Sequence, residues 1–205
     1  MTNIIISGVG GQGTVLASKL IAAAAMRKGL DVRTTETIGM AQRGGSVVSH
    51  VRIGRNIDSP LIPQKTADVI ISFEPAEAVR IINYLSEDGL MIVCDTALKP
   101  FTSSLNGDSY QASDMTDYLK KNVKKLVILN GERISKECSN PRTLNVALLG
   151  AAAESGIFPF SADEMKDVLR DTLPQRLLEI NLNAFEIGRR MYNETRYAGQ
   201  NQEGY

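Results

Sequence analysis

The chain has 205 residues, 43% of them hydrophobic, and its 23 Lys and Arg offset its 23 Asp and Glu. That is apolar material for one sizeable core, with no apolar stretch long enough to span a bilayer and no basic block to draw nucleic acid. Cys94 and Cys138 stand apart from any CxxC or metal-ligand spacing, and no basic segment precedes an apolar run at the amino terminus, so a cytoplasmic protein without its own metal cluster is expected.

In chain order, residues 3–7 read as a buried strand, and residues 12–28 as a helix with Leu16, Leu20 and Ala23 or Ala24 at helical spacing and Gly29 as its stop. Leu30 to Thr35 is a second strand that completes a βαβ unit, followed by a loop over Ile38 to Ser46. Val47 to Ile53 alternates apolar and polar side chains, the pattern of a strand with one less buried face. Ala67 to Phe73, Leu90 to Cys94 and Lys125 to Asn130 are continuous apolar runs suited to parallel strands, and Glu74-Pro75 opens a helix through Tyr84. Leu98 to Ser113 is polar and irregular, ahead of a short helix from Asp114 to Lys121.

After Pro141 only helices are expected: Arg142 to Ser155, Ala162 to Asp171 behind the capping box of Ser161 and Glu164, and Pro174 to Glu194. The fold class is α/β, a three-layer Rossmann-like domain with a mostly parallel sheet and a helical C-terminal part. It spans 1–194 as one domain, with 195–205 a polar flexible tail.

Gly8, Gly10 and Gly13 satisfy GxGxxG between the first strand and first helix, where glycines allow a tight turn and helix amides face an anion. Gly11 and Gln12 narrow the pattern to GxGGQG. A second candidate is the loop holding Met40, Gln42 and Arg43 beside Gly44 and Gly45. Arg43 offers a bidentate anion grip and the glycines offer backbone donors. This loop should share the carboxyl-end edge of the sheet with the first turn. Glu36, at the end of the second strand, is a candidate ribose ligand or an ordinary surface carboxylate; His50, the sole histidine, is a titratable group or a structural residue. No nucleophile, zincin or Walker pattern is present.

Gly8 to Gly13, then Gly39-Met40-Ala41-Gln42-Arg43-Gly44-Gly45-Ser46-Val47 and Ser49-His50-Val51-Arg52-Ile53-Gly54, resemble the gamma-type domain of 2-oxoacid:ferredoxin oxidoreductases. Ser59-Pro60-Leu61-Ile62-Pro63, Ala67-Asp68-Val69, Phe73 to Ala78, Asn140-Pro141-Arg142 with Asn145, and Asn181 to Phe185 look most like the small beta subunits of indolepyruvate:ferredoxin oxidoreductases. The resemblance extends to about Arg190.

It implies a subunit of an enzyme that converts a 2-oxoacid and coenzyme A to acyl-CoA, carbon dioxide and reduced ferredoxin. Thiamine diphosphate and 4Fe-4S clusters are then expected on larger partner subunits, with no catalytic residue and no metal on this chain. The two glycine segments would face coenzyme A or the partner's thiamine region. Two other readings stay open from the residues: a free-standing NAD(P)-binding oxidoreductase using Glu36, and a non-catalytic assembly subunit.

Overall fold

The computed structural model describes residues 1–38, 44–97, 111–138 and 140–200, with Ile38, Pro141 and 197–200 as backbone only. Met40, Gln42 and Arg43 of the expected loop, and most of the irregular 98–113 stretch, lie outside the described residues.

A six-stranded sheet forms the middle layer: β1 (Thr2–Val9), β2 (Asp31–Ile38), β3 (Ser46–Gly54), β4 (Ala67–Ser72), β5 (Leu85–Cys94) and β6 (Lys125–Leu129), in the order β2-β3-β1-β4-β5-β6. Only β3 runs against the others, so the sheet is mostly parallel. Ile4, Ile5 and Ile6 are fully buried because β1 is central and both its faces are covered.

The expected βαβ unit is present in sequence, but its two strands are not neighbours. β3 folds back between them, pairing Ile38 with Val47 on one side and Val9 with Ser46 on the other. Its alternation is as expected, with Val47, Ser49, Val51 and Ile53 buried on one face. The ends of β1 and β2 and the start of β3 therefore meet at one edge.

Seven helices are described: α1 (Thr14–Arg27), α2 (Pro75–Ile81, continued by a 3-10 turn, Ile82–Tyr84), α3 (Ala112–Asn122), α4 (Gly131–Cys138), α5 (Leu144–Glu154), α6 (Ala162–Thr172) and α7 (Gln175–Gln200). On one face, α1 and α4 to α7 pack over Ile4, Ile6, Val69, Ile71 and Ile92; on the other, α2 and α3 pack over Ile5, Ile70, Met91 and Val93. The alternate residues of each strand thus feed two separate cores. Helix α5 is apolar on every side and buried from Asn145 to Ala153. It crosses α7 so closely that a Cβ on Gly150 would overlap the Phe185 carbonyl, and one on Gly188 the Ala147 carbonyl.

Local signals explain several boundaries. Gly29 takes φ 72° and ends α1, and Ser161 with Glu164 forms the reciprocal capping box at α6. Helix α4 was not legible, since its core contribution rests on Ile134 and Cys138 alone; its start is set by Asn130, whose Oδ1 accepts from Arg133 N at 2.7 Å. β5 begins at Leu85 rather than Leu90, because Leu85 pairs with Ala67 across a register shift that a run of apolar residues does not reveal. Helix α7 continues through residue 194 to Gln200.

Candidate functional site

The carboxyl edge of β1 closes on itself through Gln12. Its Oε1 accepts from Val9 N at 2.6 Å and its Nε2 donates to the Phe73 carbonyl at 3.0 Å, while Gln12 N donates back to the Val9 carbonyl at 3.0 Å. The amide side chain therefore clamps the end of β1 to the end of β4. That is the point where the sheet's connections switch face, the usual ligand crevice of open α/β sheets.

Gly13 is the N-cap of α1 with φ 86°, and the side chain of Asn145, 4% exposed, packs where a Cβ would stand. Gly11 takes φ 100° with open space around it. No acidic residue occupies the first turn of α1, so no carboxylate offsets the positive end of its dipole.

Beside this turn lies a cleft of about 350 Å³. It is lined by Gly10, Gly11 and Gln12 of the turn, Thr96 beyond β5, Ser135 of α4, and Arg142 and Leu144 at the start of α5. Arg142 belongs to a 3-10 turn, Pro141–Thr143, held by Asn140: its Oδ1 accepts from Arg142 N at 2.9 Å, and its carbonyl accepts from Thr143 Oγ1 at 2.8 Å. The Arg142 side chain is exposed and has no hydrogen-bond or ion-pair partner among the described residues. A guanidinium so placed can grip a phosphate or carboxylate bidentately, beside the glycine turn.

The second glycine segment meets the first through Gly10 N, which donates to the Gly45 carbonyl at 2.8 Å. Of the ten candidate binding residues, the structure brings Gly8, Gly10, Gly11, Gln12, Gly13, Gly44 and Gly45 to one edge; Met40, Gln42 and Arg43 are outside the described residues. Arg142, Asn145, Thr96 and Ser135 were not picked out as site residues. Arg142 and Asn145 had a usable signal, a polar Asn-Pro-Arg turn opening an apolar helix; Thr96 and Ser135 had none, because tertiary folding alone brings them here.

Glu36 and His50 take structural parts. Glu36 Oε1 accepts from Ser18 Oγ of α1 at 3.1 Å. With β3 interposed, the β2 end stands two strand spacings, roughly 10 Å, from the glycine turn, farther than in a dinucleotide site where β2 adjoins β1. His50 is 5% exposed, its Nδ1 accepts from Ile62 N at 3.2 Å and its ring meets Tyr84 edge-on, with burial lowering its pKa. Burial pushes the Cys94 thiol up to about 11, so it is no nucleophile at neutrality. Among the described residues no group of three or more His, Cys, Asp or Glu is placed to hold a metal ion, and no helix is long and apolar enough to cross a membrane.

The sequence pattern of the pyruvate ferredoxin/flavodoxin oxidoreductase family matches residues 3–191. The chain belongs to this family. It is 39% identical over 191 residues to the indolepyruvate oxidoreductase subunit IorB of Thermococcus kodakarensis, covering 91% of this chain and 93% of the relative. Its fold matches the gamma subunit of a keto/oxoacid ferredoxin oxidoreductase from Geobacter sulfurreducens with a TM-score of 0.68 at 21% identity, over 95% of this chain and 99% of that one. It also matches 2-oxoglutarate:ferredoxin oxidoreductase from Magnetococcus marinus, solved with 2-oxoglutarate, coenzyme A and succinyl-CoA bound, with a TM-score of 0.68 at 23% identity over 94% of this chain and 31% of that chain. This gamma/beta-type subunit thus fits a part in the oxidative decarboxylation carried out by a multisubunit complex.

Proposed function

We propose that the chain is the small subunit of a cytoplasmic indolepyruvate-type, or other aryl pyruvate, 2-oxoacid:ferredoxin oxidoreductase, and that its glycine edge binds part of coenzyme A. The overall reaction is 2-oxoacid + CoA-SH + 2 oxidised ferredoxin → acyl-CoA + CO₂ + 2 reduced ferredoxin + H⁺. The indolepyruvate branch is supported by the Thermococcus relative. The coenzyme A role is supported by one observation: a glycine turn, a second glycine segment and an unpaired arginine converge on one cleft at the carboxyl edge of the sheet.

At about 350 Å³ the cleft suits one phosphate-bearing segment of coenzyme A, leaving the remainder to the partner chain. Arg142 supplies charge, and the amides of Gly11 and Gly13 supply neutral donors with the α1 dipole behind them. Arg43, with Gln42 and Met40, is assigned to the same approach from the second loop. Thiamine diphosphate and 4Fe-4S clusters belong in this reading to the larger subunit, which transfers electrons to ferredoxin; no residue of this chain is assigned to them. The domain then acts by completing the complex.

The test is reconstitution with the larger subunit and a viologen acceptor. The expected result is coenzyme A-dependent oxidation of aryl pyruvates by the two-chain complex and little by either chain alone. Full activity of the larger subunit alone, or preference for pyruvate or a branched-chain oxoacid, would overturn the role or the substrate respectively. Arg43→Ala should raise the coenzyme A KM by roughly tenfold, the scale of one charged contact.

A further inference from the structure

The start of β3 is tied down by a buried carboxylate that the sheet itself does not require. Ser46, the first residue of β3, lies opposite Val9, and its Oγ donates to Oε2 of Glu77 in the first turn of α2. Glu77 is 4% exposed; its Oε1 takes Arg80 Nε at 3.2 Å, and its backbone N donates to Oε2 of the buried N-cap Glu74 at 3.0 Å. Sinking a carboxylate this far is costly unless it is paired, and an apolar residue of like size would serve the packing of α2 equally well.

The tie matters because of what precedes it. Gly44, at φ 85°, and Gly45 have no side chains to fix them, so their place depends on their anchors. One anchor is the backbone bond from Gly10 N to the Gly45 carbonyl, which belongs to the turn of β1. Another, beside the strand pairing of Ser46 with Val9, is the Ser46 hydroxyl on Glu77, which belongs to α2 on the opposite face of the sheet. Together they hold the second glycine segment against the first from two independent elements.

We infer that Glu77 is a positioning residue, and that its carboxylate, through the Ser46 hydroxyl, holds Gly44 and Gly45 at the distance from the Gly8–Gly13 turn that coenzyme A binding needs. This rests on the reading of that edge as a coenzyme A site. Glu77 touches no substrate; it acts through Ser46 alone, so its loss should weaken coenzyme A binding and leave the decarboxylation step on the partner untouched.

The experiment compares wild type, Ser46→Ala, Ser46→Thr and Glu77→Gln in the reconstituted complex, by amide hydrogen exchange at Gly10 and by steady-state kinetics. Ser46→Ala is expected to speed exchange at Gly10 and raise the coenzyme A KM, each by about tenfold, with kcat and the 2-oxoacid KM within about threefold. Ser46→Thr keeps the hydroxyl and should restore both, and Glu77→Gln keeps an acceptor oxygen and should fall between. Unchanged exchange at Gly10 in Ser46→Ala overturns the tie. Faster exchange with an unchanged coenzyme A KM overturns the positioning role. A wild-type complex indifferent to coenzyme A overturns the reading beneath it, while the exchange data still decide the tie.

Discussion

Glycine serves opposite ends in two regions of this molecule. Where α5 crosses α7, Gly150 and Gly188 let two backbones touch, and the gain comes from the absence of atoms: each α-carbon lies against a carbonyl of the other helix. At the carboxyl edge of β1, Gly11 and Gly13 instead give the chain left-handed conformations, and the space beside them is kept open or filled by polar groups such as Asn145. The first region is held by close apolar contact and has no chemistry to offer. The second is held by side-chain ties, chiefly Gln12 and the Ser46–Glu77 pair, and leaves Arg142 unspent.

The sharpest way to break that contrast is to add one methyl group in each region. Gly188→Ala should cost about 3 kcal/mol or more and lower the melting temperature by roughly 6–12 °C, since a backbone carbonyl cannot move aside. Gly11→Ala meets nothing within 4 Å and should cost only its backbone strain, about 1–2 kcal/mol. Equal losses in thermal denaturation would show that the two regions do not differ as described.

Gln12→Ala probes the polar side next. It leaves Val9 N and the Phe73 carbonyl without their partner, so urea denaturation should show a loss of about 1–3 kcal/mol. A loss under about 0.5 kcal/mol would mean that water replaces the clamp at no cost. The smallest effect is in acid. Burial lowers the pKa of His50, so the unfolded chain binds the proton more readily than the folded one. Stability from this residue is present above 6.5 and is lost as pH falls below it toward the lower folded value. The melting temperature of wild type should therefore drop more between pH 7 and about 5.5 than that of His50→Gln. Parallel curves would remove His50 from the acid sensitivity.

Much of this architecture was legible because the strands are short apolar runs and the helices carry strong stops, as at Gly29 and the Ser161–Glu164 box. The neighbour of β1 was not legible. Alternation in Val47 to Ile53 gives a strand but not its direction or its partner, and β3 enters between β1 and β2. The same limit applies to the site. The glycines could be read from their spacing, whereas Thr96, Ser135 and Arg142 come from separate stretches of the chain that only folding brings together. Gln12 was a candidate through the GxGGQG pattern, and its amide is taken up by Val9 and Phe73 because the β1 turn places it between them. Glu77 gave no sign of its tie to Ser46, 31 residues away.

The central claim is that the glycine edge and Arg142 form one anion-binding wall of a two-chain enzyme. Its most direct test is the coenzyme A dependence of the reconstituted complex carrying Arg142→Ala. The side chain is exposed and has no partner among the described residues, so the melting temperature should stay within about 1 °C of wild type, while the coenzyme A KM rises tenfold or more, roughly 1.4 kcal/mol of binding, with kcat little changed. An unaltered coenzyme A KM in a folded, active complex would contradict it.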